Sequence, residues 1–529
     1  MPASTNGRLL PGAMMIIIVS FACSNIASVP AKRGTIPAAQ SAGQLLYSEY
    51  CMPCHGGTGA GDGPLAYVFY PKPRDFTSGR FKLRSTVDGE LPTNNDLAKT
   101  IVNGMPGTAM PSFYFLDTAE ITALVDQVKQ LGGFMDKTPV PVEVLSPPAE
   151  TERLVVLGKQ LYSDLGCNQC HGHTGKGDGP SASMLKDDLG YPIQVRDFTR
   201  GTYLGGGSVE DLYLRFVTGM TGTPMPSYLE ILEDVGESDQ ERQEMLWGLV
   251  YYVKSLETAD ARAERNMPPA DGSIFTQKVA DSLTKADLNN PRAAVWETVP
   301  AVSIPISRLW QRKGRNLDYV DVKVLYNNRY LAVLLEWEDG TEDGATYRVQ
   351  DFQDAAAVQF SLSGEPGFHG MGSTVNPANI WFWKAEWQWR QDRDQVPDIE
   401  LAYGRRASDG DVDTYPFEMA ELTYLPGRDA GNISSTEKIL TPVEDVNAAG
   451  PETLTPQPDD AQNVLGKGVW DGRKWRVVLV SEMNSSRGQD VQFRAGGTYP
   501  VAFAVWDGSE RDRNGQKMIS TWYTLVFQQ

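Results

Sequence analysis

Apolar positions along this chain follow two different periods. From Gln44 to Thr258 they recur at helical spacing: Ile121, Leu124, Val125, Val128 and Leu131 share one stripe of ITALVDQVKQL. MLWGLVYYVKSL repeats that helix further on, and shorter helices carry Leu45, Leu46 and Tyr47, then Leu161 and Tyr162. Gly- and Pro-rich loops separate them. From residue 292 the period drops to two, in runs such as YVDVKVLYNN, RYLAVLLEWEDG, AAAVQFSLS, NIWFWKAEWQWR and TYPVAFAVWDG. Asp-Gly pairs at 339–340, 471–472 and 507–508 supply turns between strands. The pattern predicts a multidomain chain, mostly helical in front and an all-β sandwich behind. A polar, Pro-rich stretch, 440–463, reads as a surface insertion in that sandwich.

The helical region is a duplication. The first unit, 44–137, carries LYSEYCMPCHGGTGAGDGP, PRDFTSGRF and IVNGMPGTAMPSF; the second, 151–258, carries LYSDLGCNQCHGHTGKGDGP, VRDFTRGTY and FVTGMTGTPMPSY in the same order. A Pro-rich hinge, 138–150, is expected between them, and a polar linker with weak helical character around Phe275 to Leu283, 259–291, after them.

Each unit holds one C-x-x-C-H: Cys51, Cys54 and His55, then Cys167, Cys170 and His171. Two thiols add to haem vinyl groups and the adjacent imidazole binds iron, so the spacing predicts two covalent haem c groups. Neither copy has a second Cys pair to complete a zinc site. A methionine precedes Pro-Ser-aromatic in each copy, Met110 and Met225, and a thioether suits iron as sixth ligand. Met105 and Met220, five residues upstream, are the rival sulfurs. Arg74-Asp75-Phe76 and Arg196-Asp197-Phe198 read either as propionate partners or as Arg–Asp loop braces, Asp62 and Asp178 as turn residues, and His173 as a solvated side chain.

These landmarks resemble the class I cytochrome c fold, where a Met-Pro loop supplies the sixth ligand; the resemblance covers both units and favours Met110 and Met225. The later strands, notably FQDAAAVQFSLS, GMGSTVNPANIWFWKAEW and YPVAFAVWDGSERDRNGQKMISTW, resemble the haem b-binding gamma subunit of ethylbenzene dehydrogenase and its relatives. That resemblance implies a non-covalent haem b held by Met371 and Lys517, with His369 and Lys384 as competing positions. It further implies service to a periplasmic molybdoenzyme of the dimethyl sulfoxide reductase family, with its catalytic and iron–sulfur subunits as partners.

Composition narrows the picture. The net charge of −19 disfavours nucleic acid and suits an electron carrier that meets redox partners through their basic patches. Residues 1–23 read as an export signal, with the apolar run Ala13 to Ala22 as its core, followed by a linker, 24–43. Haem attachment at C-x-x-C-H belongs to the periplasmic side, in agreement. Cys23, the one cysteine of five outside the haem motifs, fits a lipoprotein acceptor, while cleavage after Ala27 or Ala31 is the alternative; both stay open. No zinc spacing, nucleophile elbow or nucleotide loop occurs, so electron transfer is expected rather than catalysis. A haem enzyme with its own substrate site and a lectin-like tethering module are the competing classes.

Overall fold

Helix ends are written locally. Asp117 opens the last helix of the first unit by accepting from the Glu120 amide, and Glu120 reaches back to the Asp117 amide. Such a capping box stabilises a helix by about 1 kcal/mol. The stripe expected from sequence is buried there, Leu124 completely.

The computed structural model describes residues 41–529 other than 70, 234, 237, 263–264, 270, 310–316, 345–350, 369, 393–440, 487–488 and 529. The export signal, Cys23, most of the linker 24–43, and His369 therefore lie outside the described residues. In the first unit α1 (Ala42–Leu46) runs through a π-helical turn (Tyr47–Cys51) into α2 (Met52–His55), followed by α3 (Asn94–Asn103) and α4 (Thr118–Leu131). The second unit has α5 (Glu152–Asp164), α6 (Cys167–His171), α7 (Val209–Thr218), α8 (Leu229–Glu233) and α9 (Asp239–Ser255). First and last helices cross at a glycine in both. A Cβ on Gly158 would stand 1.9 Å from the Gly248 carbonyl oxygen, and one on Gly43 2.3 Å from that of Ala123. Only glycine permits so close a crossing. No described helix is long and apolar enough to cross a membrane.

The expected hinge is packed. Val142 and Val144 lie against the core of the second unit, and the Val142 amide donates to the Ser85 carbonyl of the first at 2.7 Å. Arg84, fully buried, donates to the Thr218 carbonyl at 2.8 Å, while Arg215 donates to the Arg84 carbonyl at 2.6 Å. Residues Ala42–Gln529 form one compact unit.

After α10 (Ala259–Arg262) the chain enters a sandwich. One sheet runs β10 (Leu465–Trp470), β11 (Lys474–Glu482), β5 (Tyr330–Glu338), β4 (Tyr319–Tyr326), with β2 (Val302–Pro305) also on β4. The other runs β14 (Tyr523–Phe527), β12 (Thr498–Trp506), β6 (Ala355–Ser361), β7 (Ala378–Lys384), β8 (Val443–Ala448), β9 (Thr455–Pro456). The short β13 (Met518–Ile519) pairs with β12 and with β3 (Ser307–Arg308). The first strand, β1 (Ser273–Lys278), joins the sheets: Ser273–Thr276 pair in parallel with β14, then Gln277 and Lys278 with β4. Alternation sends Ala356, Val358 and Phe360 of β6 into the core between sheets, with Trp337, Trp383 and Trp475, and turns Ala355 and Ala357 outward. The outer face of the β4–β5–β11 sheet is covered by Leu288 of α11 (Lys285–Leu288) and by Trp296.

Three expectations need correction. The linker 259–291 contains β1, a strand of both sheets, where weak helix was expected. The described part of 440–463 is no surface insertion: β8 pairs along β7 from Ala378↔Ala448 to Trp383↔Val443. Its buried polar residues form a hydrogen-bonded set, Asn379 donating to Asp445 at 2.7 Å and Gln457 to Asp445 at 3.2 Å, with Asp445 Oδ2 left without a partner among the described residues. Finally, the run NIWFWKAEWQWR is half strand, because it turns after Lys384 into α12 (Ala385–Asp392).

Burial, and then the charge of Asp490, raise the Asp445 carboxyl to about 8. The folded state therefore binds a proton that the unfolded chain releases near pH 4, so Asp445 costs stability progressively as pH rises from about 4 to 8. Asp445→Asn is expected to gain on the wild type over that range, by a few kcal/mol on the order of linkage values. Denaturant melts at pH 5 and pH 8 check it; an unchanged difference between the two proteins rejects the raised pKa.

Candidate functional site

The C-x-x-C-H segments form short helices, each closed by a glycine at positive φ, Gly56 at 78° and Gly172 at 76°. A Cβ there would collide with the Asp62 or Asp178 carboxylate, so these aspartates seat the turn. Tyr47 and Tyr162 tie it back by donating to the Gly56 and Gly172 carbonyls at 2.8 and 2.7 Å. His55 Nδ1 lies 2.9 Å from the Arg74 carbonyl and His171 Nδ1 3.4 Å from that of Arg196. A carbonyl only accepts, so Nδ1 carries the proton and Nε2 keeps a lone pair for a metal. Phe76 and Phe198 stack on these rings at 4.5 and 4.3 Å between centroids. Desolvation holds both imidazoles neutral, with pKa values lowered to about 4. The Arg-Asp-Phe segments thus act through backbone and ring. Their aspartates cap the following turn, Asp75 accepting from Thr77 and Asp197 from Thr199, so of the two readings the loop brace runs from Asp to the Thr amide rather than to Arg.

The methionine loops are built alike. The Met105 amide donates to the Met110 carbonyl and the Met220 amide to that of Met225, each at 3.1 Å. Thr108 and Thr223 hydroxyls donate to Met105 and Met220 carbonyls and accept from the Met110 and Met225 amides. All four methionines line one continuous cavity of about 680 Å³ that takes in both C-x-x-C-H segments. Cys51, Cys54, Cys167 and Cys170 are free thiols there, and burial pushes Cys51 and Cys54 up to about 12. His173 is exposed, as expected.

Cations line the same cavity, and they are shared across the repeat. Arg196 donates to the Pro106 carbonyl at 3.1 Å, and a Cβ on Gly107 would stand 2.9 Å from its Nη1. Reciprocally, a Cβ on Gly222 would stand 3.3 Å from Arg74 Nη2. Each arginine therefore reaches the methionine loop of the other unit. Arg215, on α7, is lowered to about 10 by burial and the Arg84 charge, and its buried Nε finds no acceptor among the described residues. An unsatisfied, desolvated guanidinium N–H in a cavity wall calls for an anionic ligand group.

In the sandwich, Met371 and Lys517 come to the same place, the outer face of the β6–β7–β8–β12 sheet. Met371 packs against the cluster of Ala355, Ala357, Ala378, Ala448 and Ala504 with Ile380, Val446, Ile519 and Trp506 that forms this face. Its φ of 103° is strained for a non-glycine, which marks a residue held by its surroundings. Lys517 Nζ lies 4.9 Å from the Trp506 ring centroid, and desolvation lowers its pKa to about 8. Its surface accessibility is intermediate although it is strongly desolvated, as fits an amine facing a recess rather than bulk water. Lys384 reaches the same sheet face, 5.0 Å from the ring of Phe382, but is already paired with Glu444 and set 4.0 Å over the Trp387 ring.

This face adjoins the first cytochrome-like unit. Glu49 and Tyr50, immediately before Cys51, bond to the segment carrying Met371: Ser373 donates to Glu49 at 3.0 Å and Tyr50 to the Pro366 carbonyl at 3.2 Å. Beyond Met110, Thr521 donates to the Ser112 carbonyl and Tyr114 to that of Trp522, each at 2.6 Å. The second unit meets the sandwich through Arg200 and Asp318, paired at 2.6 Å.

Comparison with known proteins agrees with this division. The family model described as cytochrome c matches residues 40–132 and again 155–257, and the model described as ethylbenzene dehydrogenase matches residues 293–518. A Haloferax mediterranei protein provisionally named a respiratory nitrate reductase heme subunit is 29% identical, over 47% of this chain and 72% of its own. Dimethylsulfide dehydrogenase subunit gamma of Rhodovulum sulfidophilum is 26% identical, over 46% of this chain and 76% of its own. Chlorate reductase subunit gamma of Ideonella dechloratans is 25% identical, over 51% of this chain and 90% of its own.

The threonine braces yield a direct test. Thr223→Val removes the donor to the Met220 carbonyl and the acceptor for the Met225 amide, and is expected to cost about 1–2 kcal/mol. Thermal melts of the variant check it, and an unchanged melt removes Thr223 from the loop's support.

Proposed function

The chain is built from two cytochrome c domains and one domain of the ethylbenzene dehydrogenase family, and from that composition we propose that it is a periplasmic, three-haem electron-transfer subunit. It is read as the gamma-type subunit of a molybdoenzyme of the dimethyl sulfoxide reductase family, meeting that enzyme's catalytic and iron–sulfur subunits and exchanging electrons with other respiratory carriers. The gamma-subunit names of two relatives support this assignment. Bound haem supplies one-electron exchange at iron, and the protein supplies attachment, axial ligands and electrostatics.

Cys51 and Cys54, with Cys167 and Cys170, are the thioether attachments for two haem c groups. His55 and His171 present Nε2 from rings already oriented by the Arg74 and Arg196 carbonyls. Met110 and Met225, on loops braced by Thr108 and Thr223, would offer their thioether sulfurs to the two irons. Arg215 and its cationic neighbours answer the propionates. This apolar face, five alanines set among Ile380, Val446, Ile519 and Trp506, would take one non-covalent haem b. Met371 supplies a soft sulfur to it, and Lys517 a neutral amine that its desolvation favours.

One observation carries the relay: a contiguous protein path links all three sites. The Met371 segment bonds to Glu49 and Tyr50 beside Cys51, and a single cavity joins the first C-x-x-C-H to the second. These contacts favour the order sandwich, first cytochrome domain, second cytochrome domain, in either direction of flow, with the Arg200–Asp318 pair as a second junction to the sandwich.

Haem counting tests the reading. The purified holoprotein is expected to hold three haems per chain, one extractable by acid acetone and two remaining on the denatured polypeptide. Met371→Ala and Lys517→Ala are expected to lose the extractable haem alone. A wild-type count of two, both covalent, replaces the relay with a cytochrome tethered by a binding module. Separately, Met110→Ala is expected to abolish the sulfur-to-iron charge-transfer band of one haem and lower its potential, whereas Met105→Ala leaves both unchanged; the opposite result exchanges the ligand assignment.

A further inference from the structure

Three carboxylates meet at one end of the sandwich, on residues next in the chain to Ala355 and Trp506 of the face that carries Met371. Asp339 follows β5, Asp354 precedes β6 and Asp507 follows β12, so the cluster bridges the two sheets. One oxygen of each lies within 4.8 Å of the others. All three residues are buried, at 1%, 0% and 2% exposure.

Each carboxylate collects N–H or O–H donors from its surroundings. Asp354 Oδ1 accepts from the Gly508 amide at 2.8 Å, and its Oδ2 from the Asp343 amide at 2.7 Å and the Trp475 indole at 2.9 Å. Asp507 Oδ1 accepts from the Ser509 hydroxyl at 2.6 Å and the Glu510 amide at 3.2 Å. Asp339 Oδ1 faces the Thr341 amide at 3.1 Å and hydroxyl at 3.4 Å, and the Trp337 indole is a further donor to this carboxylate, whose buried Oδ2 makes no hydrogen bond of good geometry among the described residues. No ion pair reaches any of the three from the described residues. Buried negative charges without a counter-charge are severely unfavourable. Burial and mutual repulsion accordingly push Asp354 and Asp339 upward in pKa.

We propose that Asp339, Asp354 and Asp507 bind one calcium ion that clamps the two sheets together. Hard carboxylate oxygens with no nitrogen or sulfur among them suit Ca²⁺, whose ligands stand at about 2.3–2.6 Å, so donors on opposite sides of the ion are about 5 Å apart. Free coordination positions remain on Asp339 Oδ2, on Asp507 Oδ2 and on the second lone pair of Asp354 Oδ1. The ion also braces the turn leading to Lys517. Asp507 begins that turn, its amide donates to Asp512 at 3.2 Å, and Asp512 is paired with the buried Arg308 at 2.9 Å. The competing state is a cluster held together by shared protons, with no metal.

The test is metal analysis and thermal melting of the full-length holoprotein, with Asp339→Asn and Asp507→Asn beside it. Wild type dialysed against calcium is expected to retain one more calcium per chain than either variant, and EGTA is expected to lower its melting temperature while barely moving theirs. Equal calcium in wild type and variants, or equal EGTA shifts, overturns the proposal. Should the variants fail to fold, wild type decides alone: a chelated sample regains its higher melting temperature on adding CaCl₂ and less so on adding MgCl₂. A wild type that carries no calcium and melts identically in CaCl₂ and EGTA establishes the proton-shared cluster, and leaves the electron-transfer reading standing.

Discussion

The cytochrome half depends on one backbone carbonyl per repeat. A free imidazole has two tautomers and turns about its side-chain torsions. The Arg74 and Arg196 carbonyls remove both freedoms, because an acceptor at Nδ1 puts the proton there and leaves Nε2 aimed into the cavity. Phe76 and Phe198 fix the ring plane. The bond itself contributes about 1 kcal/mol, but an imidazole turned away from iron would forfeit a ligand. The surrounding apolar burial keeps the ring uncharged, so the ligand needs no deprotonation before it can bind.

That role was only half legible in the sequence. Repetition of Arg-Asp-Phe marked the segment, yet side-chain chemistry pointed to propionates or an Arg–Asp brace, and a carbonyl has no letter of its own. Cys51, Cys54, His55 and their second copies were legible as candidates from spacing alone, and the structure brings both sets to one cavity. The methionines were legible as candidates, because the repeat matches Met105 with Met220 as well as Met110 with Met225, and all four line the cavity. In the sandwich, period-two runs gave the strands but not their ends. The segment 443–448 looked like solvent-facing chain because Glu444, Asp445 and Asn447 are polar, whereas cross-strand partners from Asn379 and Gln457 allow Asp445 to be buried. The strand 273–278 was missed because its partners come from opposite ends of the domain, β14 and β4, a pairing with no local trace.

Duplication placed two equivalent sites in one cavity and then let them diverge. Arg74 and Arg196 each serve the opposite methionine loop, so neither unit completes its surroundings alone. The symmetry breaks on the middle helices, where Thr100 of α3 occupies the position that Arg215 holds on α7. A buried cation favours the more negative charge state of whatever it faces, so Arg215 and Thr100 make the two halves of the cavity electrostatically unequal.

Packing, rather than tethers, sets the separation of the sites. The Pro-rich segment between the cytochrome domains lies along the second core, and the polar stretch after them enters the sandwich as a strand. Tyr50 and Glu49 rest on the Met371 segment, and the Ser112 and Tyr114 side of the methionine loop rests on Thr521 and Trp522. The first cytochrome domain is thus held to the sandwich on both sides of its own site, at the attachment helix and at the methionine loop. Electron exchange falls off steeply with distance, and two clamps flanking one site restrict the changes in separation that a single flexible hinge would allow. The second domain has the Arg200–Asp318 pair on the sandwich and the shared arginines on the first domain, so it too is held from two directions rather than by its tether.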